Sequence, residues 1–303
     1  MSSAPAKPTR IPALTAALPY LALLGGMVSL AVGTSFAKQL FPVVGAEGTS
    51  ALRVGLSALV LVAIWRPWRF ALGRADAKGV LLYGLVLGLM NLCFYMSLRT
   101  IPLGLAIAIE FAGPLTLALI HARKLIHFVW IACAVAGLGL LLPIRGGLTA
   151  LDPIGVGFAA AAGLFWALYI VFGKRLSHMH AGQSVALGMS TAALVILPFG
   201  VASAGAALLA PSVLLIGLGV ALVSSALPYS LEMIALRHIP KRTFGVLLSG
   251  EPAIGAVAGL VLLHEQLSGL QWLAIGFIVL ASVGAILTTG TRDVTLAEPV
   301  VPA

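Results

Sequence analysis

Apolar residues run in long blocks along this chain, and polar residues gather in the short breaks between them. Ten blocks reach roughly 17 to 25 residues, the length that a helix needs to cross a hydrocarbon core. They fall at about 14 to 37, 46 to 65, 79 to 99, 101 to 121, 127 to 143, 154 to 173, 182 to 202, 211 to 236, 242 to 263 and 269 to 289. Backbone amides have no water to bond in a bilayer, so blocks of this length predict an all-α membrane protein with ten transmembrane helices. The first block follows Lys7 and Arg10 and closes on Ser35-Phe36-Ala37, which resembles a signal-peptide cleavage site. Its apolar stretch is too long for a signal peptide and its end recurs later in the chain, so a retained helix is expected.

Composition agrees with the pattern. The 303 residues are 60% hydrophobic and 9% charged, with a mean hydropathy of +1.10, which excludes a water-soluble globular domain. The net charge of +9 does not mark a nucleic-acid surface, because the basic residues are scattered in small groups between apolar blocks. Their distribution orients the chain instead. Alternate breaks hold Lys7, Arg10, Arg66, Arg69, Arg74, Lys78, Arg123, Lys124, Lys174, Arg175, Arg237, Lys241, Arg242 and Arg292, against only Lys38, Arg99 and Arg145 in the other set. Positive charge stays on the cytoplasmic side, so both termini are expected there. Cys93 and Cys133 lie inside apolar runs and read as packing residues.

The chain repeats itself. Leu98-Arg99-Thr100-Ile101-Pro102 followed by Pro114 matches Leu236-Arg237-His238-Ile239-Pro240 followed by Pro252, and Phe36-Ala37-Lys38-Gln39-Leu40 matches Phe172-Gly173-Lys174-Arg175-Leu176. The offsets, 138 and 136 residues, define two halves of five helices. Five is odd, so the second half enters the membrane from the opposite side, the inverted-repeat plan of secondary transporters. The expected organisation is a cytoplasmic tail at 1–13, a first repeat at 14–143, a second at 154–289, and a disordered cytoplasmic tail at 290–303.

Candidate chemistry is confined to a few polar residues within the blocks. Glu110 and Glu251 lie near mid-depth, Glu110 about nine residues or roughly 14 Å into its span. A carboxylate at that depth costs several kilocalories, which marks both as candidates for carrying a proton or holding an ammonium group. Each sits at a helix break: Pro114 cannot donate to the carbonyl of Glu110, and Pro252 disfavours helical geometry at Glu251. Packing is the competing role for both. Arg53, on one face with Thr49 and Ser57, suits a substrate carboxylate bidentately, or a salt bridge to a glutamate, or snorkelling outward. Gly84, Gly88, Asn91 and Tyr95 share a stripe on which the glycines read as packing and the last two suit either a wet cavity or packing. Glu232, Trp166, Tyr169 and Tyr229 complete the substrate-binding candidates; Glu232 also suits an inner gate, and the three aromatics suit walls or packing.

Other chemistries find no support. No G-x-x-x-x-G-K-[ST] phosphate loop and no G-x-S-x-G elbow is present, and His264-Glu265-Gln266-Leu267-Ser268 lacks the second histidine of a zinc-protease helix. No cofactor or metal is expected, and the class indicated is a transporter, driven by a gradient or by the substrate's own concentration difference, rather than an enzyme.

The two inverted fives, the Glu251-Pro252 pair and Leu262-Leu263-His264-Glu265-Gln266-Leu267 followed by Gly276 resemble the EamA family of the drug/metabolite transporter superfamily, over residues 14 to 289. The family usually carries Gly-Glu where His264-Glu265 stands, and the first half has His121, Arg123 and Lys124 in place of an acidic counterpart. Glu265 is therefore expected to cap the tenth span rather than to form half of a symmetric pair. Three segments are similar to the branch of that family that exports small amino acids of the threonine and homoserine kind. They are Phe41-Pro42-Val43-Val44-Gly45-Ala46, Ile101-Pro102-Leu103-Gly104 leading to Glu110-Phe111-Ala112-Gly113-Pro114, and Ala226-Leu227-Pro228-Tyr229-Ser230-Leu231-Glu232-Met233-Ile234-Ala235-Leu236. The resemblance implies efflux by proton antiport across the bacterial inner membrane, through a cavity bounded by the third, fourth, eighth and ninth spans. Its implied partners are a small amino acid, protons and the bilayer, and nothing in the pattern sets an oligomeric state. The rival readings are a same-fold exporter of other metabolites or drugs, an intramembrane enzyme without a recognisable motif, and a membrane scaffold or sensor.

Overall fold

Helices satisfy their own backbone amides where water is absent, and among the described residues all regular structure is helical. The computed structural model describes residues 13–69, 71–119, 125–141, 151–176, 178–228, 231, 235, 238, 244 and 247–288. Ten α-helices are described: α1 (Ala13–Lys38), α2 (Phe41–Trp65), α3 (Arg74–Ser97), α4 (Leu103–Leu119), α5 (Leu125–Leu141), α6 (Pro153–Arg175), α7 (Ala181–Ala204), α8 (Pro211–Ala221), α9 (Glu251–Leu263) and α10 (Gly269–Thr288). A π turn at Leu222–Ala226 continues α8. The helices α1, α2, α3, α6, α7 and α10 are long and apolar enough to cross a bilayer, and the other four are apolar but shorter. The expected tail after Thr289 lies outside the described residues.

Two boundaries differ from the hydrophobic pattern for local reasons. Helix α2 begins at Phe41 because Pro42 fits a first helical turn, and the left-handed Gly45 (φ 70°) then bends it. In the ninth span, Ser249-Gly250 forms a turn in which the Gly250 N–H donates to the Leu247 carbonyl at 3.0 Å, and α9 starts at Glu251. Pro252 has no N–H to offer and sits where the first turn leaves such groups unused, so the proline starts a helix with Glu251 as its first residue.

Helix α4 is buried on every side from Leu105 to Phe111 and packs on α6, α9 and α10. Pro114 lies inside it without ending it. The Glu110 carbonyl, which Pro114 cannot satisfy, points at α6. A Cβ on Gly163 would stand 2.6 Å from that oxygen, and a Cβ on Gly113 only 1.8 Å from the Gly163 carbonyl. The two backbones therefore touch, in a geometry suited to Cα–H···O contacts. Gly84 and Gly88 pack closely on α7, in keeping with the packing role expected of them.

The helices pair in a regular scheme. Helix α2 lies on α7, α4 on α9 and α5 on α10, while α3 contacts both α6 and α7. Helices α2 and α7 run antiparallel: Gly200 near the end of α7 meets Ala51 and the Glu47 carbonyl, and Gly182 near its start meets Trp65. Helix α1 packs on the π turn and on α9, and α2 also packs on α8. Asp152 caps α6, accepting from the N–H groups of Ile154 and Gly155. A hydrogen bond from Thr100, with those two N–H groups, holds its carboxyl below the ordinary range.

Gly113→Ala should lower the thermal stability of the purified protein by about 1–3 kcal/mol through forced separation of α4 and α6. Gly139→Ala, where an added methyl meets open space, is the control. Equal melting temperatures for the two variants would show that the close crossing is not needed.

Candidate functional site

The polar face of α2 carries Thr49, Arg53 and Ser57, all buried. Arg53 is only 7% exposed and all its donors must be met inside the protein. Nε donates to the Ser224 hydroxyl at 2.7 Å, Nη2 donates to the Ser224 carbonyl at 2.9 Å, and Nη1 donates to the Asn91 side-chain oxygen. The guanidinium also lies 5.7 Å from the centre of the Tyr95 ring, a cation–π distance. Asn91 is oriented by its own N–H bond to the Leu87 carbonyl at 2.9 Å. Among the described residues, Arg53 thus neither reaches outward nor hydrogen-bonds a glutamate; it joins α2, α3 and the π turn through neutral partners.

The availability of the Ser224 carbonyl follows from sequence. Its helical donor would be the N–H of residue 228, and that residue is Pro228. The π turn widens the helix at this point, and the Leu227 N–H bonds back to Leu222. Side chains take the carbonyls that the turn presents: Arg53 takes Ser224, and the Ser29 hydroxyl takes Val223 at 2.7 Å. Ser224 is the functional candidate that hydrophobic patterning passes over, and the Ser-x-x-x-Pro spacing is the signal for it.

Glu110 and Glu251 are each 8% exposed. Glu110 lies within electrostatic reach of Glu251, of Arg53 and of the Cys93 thiol. Glu110 therefore has a second carboxylate, distant in sequence, and a guanidinium within electrostatic reach; one carboxylate and the guanidinium match the two charges of a zwitterion, and one carboxylate remains over. Trp166 meets Phe111, next to Glu110, edge-on at 5.5 Å. Tyr169 stacks on Tyr83 at 4.9 Å, and their hydroxyls are 3.1 Å apart. Tyr83 is eight residues from Asn91, or about 12 Å along α3, so that pair belongs to another level of the bundle. Tyr229 and Glu232 lie outside the described residues. An apolar cavity of about 580 Å³ between α4, α5 and α6 is lined by residues such as Ile109, Thr116, Leu138 and Leu164, on a face of α4 turned away from Glu110.

Glu265 departs from the role expected of it. Its carboxylate accepts from the Lys38 ammonium at 2.5 Å and from the Leu103 N–H at 2.8 Å, so it caps α4 and ties the ends of α1 and α9 together. The tenth span needs no help from it, because Ser268 and Gln271 form a reciprocal box: the Ser268 N–H donates to the Gln271 side chain at 2.9 Å, and the Gln271 N–H donates to the Ser268 hydroxyl at 3.3 Å. A second link on these helix ends joins Arg99 to Glu47 at 3.4 Å.

Residues 153–287 match the EamA-like transporter family. The chain is 48% identical over 271 residues to the threonine/homoserine exporter RhtA of Escherichia coli (strain K12) and to that of Salmonella typhimurium (strain SL1344). Those alignments cover 89% of this chain and 92% of each relative. A solved structure, titled only as the crystal structure of a protein, covers 89% of this chain and 96% of its own with a TM-score of 0.56. At 22% identity it shares the fold alone.

The junction at Glu265 separates two chemistries. Glu265→Gln keeps an acceptor for Leu103 and loses the charge, whereas Glu265→Lys with Lys38→Glu restores a pair and leaves Leu103 without its cap. Loss of a buried acceptor costs about 1–3 kcal/mol. Thermal unfolding should therefore rank the Gln variant above the charge swap; the reverse order would reduce the junction to a plain ion pair.

Proposed function

The chain belongs to the EamA-like transporter family, and from that membership we propose that it exports small amino acids of the threonine and homoserine kind across the bacterial inner membrane by proton antiport. The observation that carries this reading is the buried grouping of Arg53, Glu110 and Glu251. A zwitterionic amino acid presents a carboxylate, for which a guanidinium is the strongest partner, and an ammonium, for which a carboxylate is. The names of the relatives, both threonine/homoserine exporters, point to the same class.

The proposed architecture is ten transmembrane helices in two inverted repeats with both termini cytoplasmic. Helix pairing supports it: α2 on α7, α4 on α9 and α5 on α10 are each a helix against its counterpart in the other half, and the α3–α6 contact has its counterpart in α8–α1. An in-plane twofold axis makes such counterparts antiparallel, as α2 and α7 are. The excess of basic residues in alternate breaks supports the orientation.

In this mechanism Arg53 and Glu110 receive the amino acid from the inside, carboxylate and ammonium respectively. The two halves rock, and a proton from outside neutralises Glu251 and releases the ligand. The carrier returns with Glu251 protonated and loses that proton inside, where proton concentration is lower. The α4 and α9 positions of the carboxylates place each near a crossing between halves, so rocking changes their separation and their shared field.

Purified protein in liposomes should move labelled threonine when an inward proton gradient is imposed and should stop when a protonophore is added. Glu110→Gln and Glu251→Gln should each reduce gradient-driven flux by roughly a hundredfold, as expected when a required charged group is lost. Glu251→Gln alone should keep threonine exchange without net coupled flux. Flux indifferent to the proton gradient would overturn antiport, and normal flux in both variants would remove the glutamates from the mechanism.

A further inference from the structure

We propose that Ser224 is a built-in stand-in for the substrate carboxylate at Arg53, displaced when the transporter loads. The inference rests on the reading of Arg53 as the carboxylate site and adds the group that competes for it. A guanidinium grips a carboxylate most effectively along one edge, with two parallel N–H donors aimed at two oxygens. In this structure the Nε and Nη2 edge of Arg53 is occupied by two oxygens of a single residue, the Ser224 hydroxyl at 2.7 Å and the Ser224 carbonyl at 2.9 Å.

The hydroxyl is held as an acceptor toward Arg53 because its own proton goes to the Val220 carbonyl at 2.7 Å. Both oxygens therefore present only lone pairs to the guanidinium, as a carboxylate does. Asn91 holds the remaining nitrogen, Nη1, and keeps the guanidinium in place while the edge exchanges partners. An ionised carboxylate makes stronger hydrogen bonds than a neutral hydroxyl and carbonyl, so the exchange favours substrate.

Displacement has a mechanical consequence. The Ser224 carbonyl has no α-helical donor to return to, since Pro228 lacks an N–H, and a buried acceptor without a donor is costly. Release from Arg53 therefore carries a cost that the substrate's own contacts offset, and the ligand inserts between α2 and the π turn. That turn is bonded to α1 through Ser29 and Val223, and Gly33 of α1 is in such close contact that an added Cβ would lie 2.7 Å from the Ser224 nitrogen. Loading at Arg53 thereby shifts α1 and α8 together relative to α2.

The test compares half-saturation for threonine with that for threoninamide, which lacks the carboxylate charge, using full-length protein in liposomes. Ser224→Ala removes one competing oxygen, and Pro228→Ala returns a helical donor to the other. Each should lower the half-saturating threonine concentration by roughly tenfold, the scale of one hydrogen bond to a charged group, and leave threoninamide unchanged. Ligand-induced thermal stabilisation reads the same quantity in a variant that binds without transporting. Unchanged or weaker threonine binding in Ser224→Ala, with threonine still transported, overturns the stand-in and leaves the exporter reading intact. No threonine binding or flux even in the natural chain overturns both.

Discussion

Arg53 carries a permanent charge where its side chain is almost wholly enclosed, and the middle of the molecule is arranged around meeting its donors. Asn91 comes from α3, Ser224 from the π turn and Tyr95 from a turn further along α3. A guanidinium left without these partners would be far more costly than any packing defect. The neutral partners take three of its five N–H donors without cancelling its charge. That leaves an electrostatic demand which Glu110, from α4, meets at longer range.

Prolines supply much of what this arrangement uses. Pro114 frees the Glu110 carbonyl, which α6 covers by bringing Gly163 into backbone contact. Pro228 frees the Ser224 carbonyl, which Arg53 takes. Pro252 places Glu251 in the first turn of α9, at the positive end of the helix dipole. One chemical deficit, a missing N–H, thus yields a close helix crossing in one place, a charged hydrogen bond in another and an acidic helix start in the third. In a bilayer each such deficit must be answered inside the protein.

The helix ends show the same economy of means. Glu265 answers two needs at once, the unpaired N–H at the start of α4 and the ammonium at the end of α1, and so joins elements that are far apart in sequence. Asp152 does the local version of this work at α6. Together with the Arg99–Glu47 link, these contacts hold the helix ends on that side.

Hydropathy and length alone determined that this is a helical membrane protein, roughly where its helices lie, and that Glu110, Glu251 and Arg53 are anomalous at their depth. Those properties are set residue by residue, because burial in hydrocarbon penalises each polar group wherever it stands. The offset repeats and prolines were equally legible, since a missing donor is a local fact. What only the tertiary structure decided is who answers each deficit: Ser224 for Arg53, 171 residues away, and Lys38 and Leu103 for Glu265, 227 and 162 residues away. Spacing along a chain says which face of a helix a side chain shares. It says nothing of which other helix that face meets, and hydrogen bonds, being short and directional, exist only once that choice is made.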